Sequence, residues 1–407
     1  MPEKHEDEFA RLAAACAAAG PDAMFDTLAA ELARRGRWHA MFDARLVQAR
    51  LALGLPSAGG TEGLAAELRD RLEERSLEAC REVGWPLLEA GRVREAWMYL
   101  RAAATPAEVA ARLGRLAAAA HPAAEAGDAE AAGRLEEIVG VALWEGVDPA
   151  LGIGLVLRTQ GTCNAITAYG QSVAGLPAPR QEAAAAALVA HLHGELAERL
   201  AADLAGRGLA AIDPAAPPAI VDMLAAAGGL RDDPAVHVDV SHLLAVLRIA
   251  RVSVDEPTIR RAWELACYGC RLPPEFVQPG EPPFADMAEA SRAFYAAQLG
   301  IDVEPALARF RRAAAASDAE AGTLPCDTLV LLLWRLGRPG AALHAALERP
   351  REEELSRPGL PAGLLPSLVD LAAASGEWET LRDACRERGD EVTFAATLAA
   401  ERHQRAG

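Results

Sequence analysis

The sequence is poor in positive charge, and in lysine above all. Lys4 is the only lysine among 407 residues, so nearly all basic side chains are arginines. Acidic residues outnumber basic ones by 58 to 41, which gives a formal net charge of -17. Because nucleic acids and anionic membranes attract basic surfaces, we expect the protein to bind neither of them.

Long apolar runs are missing as well. No stretch reaches the roughly 18 consecutive apolar residues that a membrane-spanning helix needs. The charged start, MPEKHEDEF, lacks the apolar core of a signal peptide. We therefore expect a soluble protein in the cytoplasm. Its seven cysteines are odd in number and scattered, a pattern typical of buried, reduced thiols and not of a disulfide framework.

Strand patterns are nearly absent, and aromatic side chains are few. The only short alternation of apolar and polar residues is VHVDV at 236–240, whereas apolar spacings of three and four recur throughout. Aromatic residues make up only 5%, so we expect cores built from alanine and leucine. Trp144, Trp263 and Trp334 lie on apolar helical patterns and are expected in those cores. The predicted fold class is all-α.

Five junctions share a glycine, then polar or basic residues, and then the start of another helix. They are RRGRWHAMFDARL (34–46), EAGRVREAWMYLRAA (89–103), EAGDAEAAGRLEEI (125–138), RLGRPGAALHAAL (335–347) and ASGEWETLRDAC (374–385). These stretches resemble the helix-turn-helix junctions of tetratricopeptide-like repeats. The resemblance implies a right-handed α-α superhelix, a helical solenoid in which Gly91 or Gly337 frees the turn. It also implies that Ala96 or Ala341 lets paired helices approach closely.

The spacing of these junctions divides the chain. We predict N-terminal helical-hairpin repeats at 1–140, a less regular central helical segment at 141–320, and C-terminal helical hairpins at 321–407. The central segment also holds most of the unusual polar residues, so we place the candidate site there.

Histidines are concentrated in the central segment, as His191, His193, His237 and His242, with Asp239 between the last two. Imidazole and carboxylate groups are ligands of Zn, Fe or Mn. On one helix His191 and His193 point about 200° apart, so they cannot face the same ion. The apolar stripe of that helix lies nearer His193, which leaves His191 solvated. We predict His193, His237, Asp239 and His242 as metal ligands, and buried or capping histidines as the alternative.

The pairing within the second cluster depends on where its helix begins. A start directly after Asp233 and Pro234 would place Asp239 and His242 on one face. An extended stretch at 236–240, with a helix from about Ser241, would instead make His237 and Asp239 point the same way. A third ligand would come from His193 or from a carboxylate such as Glu145.

The stretch GTCNAITAYGQ, 161–171, is the second candidate for a site. A helix capped by Asp148 should end at Gly161, and a new helix should start at Thr162 or Asn164, either of which can cap it. Such a helix start attracts anions, and Arg158 lies just upstream, so a small carboxylate or phosphate could bind there. The alternative is an ordinary turn between helices.

Other polar groups of this region complete the candidate set. The predicted ligand-binding residues are Arg158, Thr162, Cys163, Asn164, Tyr169 and Glu145. Cys163 is either a nucleophile at a helix start, with a histidine nearby in space, or an inert thiol. The pair Cys267 and Cys270 has neither a second pair for zinc nor the context of a redox motif, so we expect it to be structural.

Two functions are consistent with these observations. The first is a noncatalytic helical-repeat protein whose concave surface binds a peptide, a protein or a small ligand. The second is a metal-dependent enzyme or metalloprotein whose site lies in the central segment. The Pro-rich loop at 268–287 fits either function, as a binding loop or as a strap over a groove.

Overall fold

In the computed structural model the chain is built from helices. The structure describes residues 2–208, 217–228, 235–273, 276, 282–316, 322–349, 360 and 363–406, and no strand occurs among them. The predicted all-α class is therefore confirmed. The alternating stretch at 236–240 forms no strand, because residues 236–239 are irregular and Val240 begins a helix.

The chain forms two compact units, Met1–Gly152 and Ile153–Gly407. The division at 1–140, 141–320 and 321–407 is based on how regular the glycine junctions are, so it stays a prediction. Within the first unit the helices are α1 (Pro2–Arg34, interrupted at Gly20), α2 (Trp38–Ala52), α3 (Ala66–Glu89), α4 (Val93–Ala103), α5 (Pro106–Glu125), α6 (Ala129–Val139) and a π-helix (Gly140–Trp144). Helix α7 (Pro149–Gln160) contains the division between the units.

The glycine junctions behave as the sequence predicts. All five glycines adopt positive φ between two helices, at Gly36, Gly91, Gly127, Gly337 and Gly376. At the first four, the amide after the glycine donates to a carbonyl five residues earlier, as Arg92 does to Leu87 at 3.0 Å. This hydrogen bond closes a Schellman motif, which needs a left-handed residue that only glycine adopts without strain.

Close helix pairing in the first unit depends on a glycine as well as on alanine. Ala96 of α4 is fully buried, as predicted. On the facing helix α3, a Cβ atom on Gly84 would lie 2.6 Å from Cγ of Leu100. The side chain of Leu100 therefore occupies the space that a side chain at Gly84 would need. Ala341 is exposed, contrary to prediction, and its neighbour Ala342 is the buried one.

The predicted burial of three tryptophans is wrong for two of them. Trp144 ends the π-helix and is 53% exposed, Trp334 in the last turn of α15 (Leu324–Arg335) is 36% exposed, and Trp263 is partly covered. A π-helix inserts an extra residue into a helical turn and rotates the residues after it. The apolar spacing before Trp144 therefore does not extend to its own side chain.

The second unit contains the candidate site and twelve further helices among its described residues. They are α8 (Thr162–Ser172), α9 (Ala178–Gly206), α10 (Ile220–Ala226), α11 (Val240–Ile249), α12 (Glu256–Gly269), α13 (Met287–Gln298), α14 (Val303–Ala315), α15, α16 (Pro339–Leu347), α17 (Leu368–Ser375), α18 (Trp378–Arg388) and α19 (Glu391–Ala406). A 3-10 turn, Ala250–Val252, comes after α11.

Helix α9 is the centre of the packing around the site. Its leucine stripe at 188, 192, 196, 200 and 204 is buried, because this spacing of four keeps the side chains on one face. That face packs against α10, α11 and α12, and α8 lies alongside. The opposite face of α9 therefore remains available to carry polar groups.

Two further sequence-based expectations concern the whole chain. No helix among the described residues is long and apolar enough to cross a membrane. The seven cysteines all lie in described ranges and form no disulfide with one another. Only Cys326 and Cys385 are buried as expected, whereas Cys163 and Cys270 are exposed and the other three are partly covered.

Candidate functional site

His193, a predicted metal ligand, is held by a buried carboxylate. It faces inward from α9, as its position near the leucine stripe predicts, and its Nε2 lies 3.0 Å from Oε2 of Glu264 on α12. The same carboxylate oxygen accepts the backbone N–H of Ile220 at 2.9 Å. Burial alone would raise the pKa of Glu264, but the hydrogen bonds from His193 and Ile220 outweigh it and the pKa is lowered. His193 thus joins three helices through one ionised carboxylate.

His237 is buried in a second hydrogen-bonded network. Its backbone N–H donates to the hydroxyl of Tyr268 at 2.8 Å, and its Nδ1 lies 2.9 Å from the same hydroxyl. Its Nε2 donates to Asp203 at 3.1 Å. Arg271 reaches Nδ1 at 3.2 Å and the carbonyl of Ala235 at 2.8 Å. Both nitrogens of the imidazole are therefore used inside the protein.

Asp239 is the N-cap of α11. Its Oδ1 accepts the backbone N–H groups of Ser241 and His242 at 2.8 and 3.2 Å, and also the Ser241 hydroxyl. These hydrogen bonds, that of the Ser241 side chain first, lower the pKa of Asp239. The helix starts at Val240, close to the later of the two predicted starts, and the cap expected at 233–234 lies outside the described residues. His237 and Asp239 nevertheless do not pair, because His237 turns into its buried network.

The four predicted metal ligands do not form one cluster. Across the described ranges, no group of three or more His, Cys, Asp or Glu side chains lies close enough to hold a metal ion. His193 and His237 contact different carboxylates, Glu264 and Asp203. Both histidines have the hydrogen-bonded surroundings that the sequence offered as the alternative to metal binding.

A wide depression of about 880 Å³ lies where α8, α9 and the start of α11 meet. Its wall combines three distant parts of the sequence. The lining residues are Gln160, Gly161, Thr162, Cys163, Ala190, His191, Gly194, Glu195, Glu198, Arg199, Asp239 and His242. The polar stretch around 162 and the pair Asp239 and His242 therefore do meet, although His191 and not His193 joins them.

Most polar side chains of this depression have no partner among the residues that the structure describes. Among the described residues, no hydrogen bond or ion pair engages the side chains of His191, Glu198, His242 or Thr162, and Oδ2 of Asp239 is also unused. By contrast, Arg199 pairs with Glu195 at 2.6 Å. The depression thus offers groups that are available to bind a ligand.

The charges of the depression are predominantly negative. Glu195, Glu198 and Asp239 bring three carboxylates, and Arg199 brings the one guanidinium of the lining set. The two imidazoles add positive charge only when they are protonated. A positively charged ligand would therefore find the carboxylate of Glu198, which has no partner among the described residues.

The start of α8 forms another part of the wall, and it is not capped as predicted. The helix begins at Thr162 with Gly161 as its N-cap residue, at φ 84°, and no side chain caps it. Asn164 does not cap α8. Its amide donates to the carbonyl of Gln160 at 3.0 Å and so covers the end of α7. Asp148 does cap α7, through the N–H of Leu151 at 3.0 Å.

The six predicted ligand-binding residues do not share one place. Thr162 and Cys163 line the depression. Asn164 and Arg158 are exposed but lie outside its wall. Tyr169 is buried and donates to Gln181 at 3.0 Å. Glu145 is an exposed residue of the first unit.

Several lining residues were not identified from the sequence. His191, Glu195 and Arg199 occur at intervals of four on α9, which places them along one side of the helix, roughly 100° around its axis from the leucine stripe. This spacing was visible in the sequence. Spacing could not show that the start of α11 would lie across from that face.

The two remaining sequence-based candidates have simple placements. Burial raises the pKa of the Cys267 thiol to about 12, so it stays protonated and unreactive, in agreement with a structural role. In the Pro-rich loop, Phe284 is buried against Phe294 and Phe310. Gln278 of that loop lies outside the described residues.

Comparison with known proteins gives no relative: no family model matches the chain, and neither a curated protein nor a solved structure shows a significant match.

Proposed function

We propose that the protein is a binding protein that holds a positively charged ligand in the depression between α8, α9 and α11. The observation that carries this proposal is the excess of carboxylates there, with Glu198 and Oδ2 of Asp239 lacking any partner among the described residues. Polar groups on a protein surface that are already oriented by rigid helices bind a ligand without a large ordering cost.

Charge decides between a cationic and an anionic ligand. The uncapped start of α8 favours an anion, by about 0.3–1 kcal/mol in exposed settings. The carboxylates of Glu195, Glu198 and Asp239 line the same depression and repel an anion, and the lowered pKa of Asp239 keeps it ionised at neutral pH. Arg158, the expected anion partner, is not part of the wall. The balance therefore favours a cation.

We further propose that the glycine junctions belong to a tetratricopeptide-like array, a right-handed superhelix of a cytoplasmic protein that binds a peptide or protein partner. The support is local. Helices α1 and α2, α3 and α4, α5 and α6, and α15 and α16, each pair joined at one of the glycine junctions, pack against each other. Repeat proteins commonly use such helix pairs to present a binding surface.

Binding can be tested with small probes and the exposed thiol of Cys163. The probes are N-acetyl-arginine methylamide, N-acetyl-lysine methylamide, the uncharged N-acetyl-citrulline methylamide, inorganic phosphate, ZnCl₂ and MnCl₂. Affinity is measured by calorimetry, and iodoacetamide labelling of Cys163 is followed by peptide mass mapping. We expect both cationic probes to bind and to slow labelling of Cys163, because that thiol lines the depression.

Variants locate the binding to the carboxylates. Glu198→Gln and Asp239→Asn should each weaken binding of the cationic probes several-fold, and asparagine retains the N-cap of α11. Glu387→Gln removes an exposed carboxylate of α18 and should change nothing. Equal binding of the citrulline probe, tighter binding of phosphate, or no binding of any cation would refute the proposal.

The same experiment addresses the metal-dependent alternative. Stoichiometric binding of Zn or Mn that is lost in a His191→Ala, His242→Ala double variant would replace our proposal with a metalloprotein. The described residues would then have to move, since no three ligand groups lie together among them in this structure.

A further inference from the structure

The guanidinium of Arg199, in the wall of the depression, contacts two hydrogen-bond acceptors. Its Nη2 lies 2.6 Å from Oε1 of Glu195, one turn earlier on α9. Its Nη1 donates to the backbone carbonyl of His237 at 3.1 Å. One guanidinium group therefore bridges a carboxylate and a carbonyl oxygen that are far apart in the sequence.

The backbone that carries the two acceptors is held in place without the help of Arg199. Glu195 lies within the 29-residue helix α9, whose leucine face is buried. The carbonyl of His237 is fixed because the backbone N–H and the imidazole of that residue are bound by Tyr268 and Asp203. The pair of acceptors should therefore persist when Arg199 moves away.

Arg199 itself is held only weakly. Its side chain is 57% exposed, and an exposed ion pair between residues i and i+4 is weak. A ligand guanidinium that displaces Arg199 from these acceptors would lose at most about fivefold in affinity, on the scale of measured surface ion pairs. A planar guanidinium satisfies two separated acceptors at once, which the compact ammonium group of lysine does less well.

We propose that Glu195 and the carbonyl oxygen of His237 form a guanidinium subsite, which Arg199 fills in the empty protein and which takes an arginine side chain of a peptide ligand when Arg199 swings out. This inference rests on the proposed function, because it names the group that the depression recognises. It makes Arg199 a competitor tethered to the same chain.

The test removes the competitor. Arg199→Ala should bind N-acetyl-arginine methylamide more tightly than the wild type, by up to about fivefold, and its preference for this probe over N-acetyl-lysine methylamide should increase. Adding Glu195→Gln to Arg199→Ala should abolish the gain. The matched control is Arg260→Ala, which removes an equivalent exposed pair with Glu256 on α12 and should leave affinity unchanged.

The outcomes separate this inference from the proposed function. Absence of cation binding by both the wild type and Arg199→Ala refutes the proposed function, and the subsite with it. Cation binding that Arg199→Ala leaves unchanged or weakens, or an equal gain for the lysine probe, refutes the subsite alone. Arg199→Gln provides a second variant, because it removes the competing guanidinium and keeps a polar side chain, and it should show the same gain as Arg199→Ala.

Discussion

The hydroxyl of Tyr268 holds His237, which lies two residues before Asp239 in the wall of the depression. Tyr268 is fully buried, and its hydroxyl accepts the backbone N–H of His237 at 2.8 Å while also contacting Nδ1 of that residue at 2.9 Å. Tyr268→Phe keeps the ring, its edge contact with His237 and its packing under Arg271. Only the two hydrogen bonds are lost.

The cost of that loss depends on the groups that remain. The imidazole Nδ1 keeps Arg271 at 3.2 Å, but the buried N–H of His237 loses its acceptor. A buried donor without a partner costs about 1–3 kcal/mol. Tyr295→Phe is the matched control, because Tyr295 is equally buried but its hydroxyl donates only to the carbonyl of Leu247. A carbonyl oxygen can accept two hydrogen bonds, so losing the one from Tyr295 should cost only about 0.5–1.5 kcal/mol.

Chemical denaturation followed by circular dichroism gives both free energies of unfolding, and hydrogen exchange of the peptide that contains His237 gives the local effect. We expect Tyr268→Phe to be the more destabilising variant and to lose amide protection at His237. It should also bind the cationic probes more weakly, because the carbonyl of His237 and the cap Asp239 lie on the segment that this hydroxyl holds. Equal protection at His237 in the wild type and in Tyr268→Phe would refute the reasoning.

Two further predictions concern close packing and pH. Gly84→Ala should destabilise the first unit by about 1–3 kcal/mol, since its Cβ would lie 2.6 Å from Cγ of Leu100. Gly133→Ala, in open space on α6, should instead stabilise the unit by up to about 1 kcal/mol. Thermal unfolding compares the two variants, and a change in stability of the same sign in both would contradict the close approach at Gly84. Glu264→Gln should cost about 1–3 kcal/mol at pH 7. The pKa of Glu264 is lower in the folded protein than its unfolded value near 4.5, so ionised Glu264 stabilises the fold above that value. This stabilisation is lost as pH falls through the folded pKa, and the difference in unfolding free energy between wild type and variant should therefore shrink below pH 4.5. A difference that stays constant down to about pH 2 would contradict this assignment.

The sequence predicted local structure well because local structure depends on neighbouring residues. The Schellman turns at Gly36, Gly91, Gly127 and Gly337, and the leucine stripe of α9, result from conformational preference and spacing alone. The exposure of Trp144 could not be predicted in the same way. A π-helix rotates the residues after it around the helix axis, and no short sequence pattern predicts a π-helix.

The sequence identifies only part of the lining of the depression, and the omissions have a physical cause. Thr162, Cys163, Asp239 and His242 line one depression, so the two stretches meet in space. His193 was preferred over His191 because it lies nearer the apolar face. The partner that explains the position of His193 is Glu264, 71 residues away, and such distant pairing cannot be read from local spacing.

Histidines that face inward in a helical core must find hydrogen-bond partners, since an unpaired polar group in the interior costs free energy. His193 is satisfied in this way through Nε2, and His237 through both ring nitrogens. At the edge of the depression, His191 and His242 have no such partner among the described residues, because water can serve an imidazole there. Inward-facing histidines are therefore poorer candidates for a ligand site than histidines at the rim.

Within the depression the two walls have opposite polarity, which restricts where a cation can lie. The uncapped N–H groups at the start of α8 present the positive end of a helix dipole beside Thr162 and Cys163. The carboxylates of α9 and of Asp239 form the other wall. A cationic group is therefore repelled from the first wall and attracted to the second, where the guanidinium of Arg199 already lies. Arg199 therefore lies on the side of the depression that the charges of both walls favour for a cation.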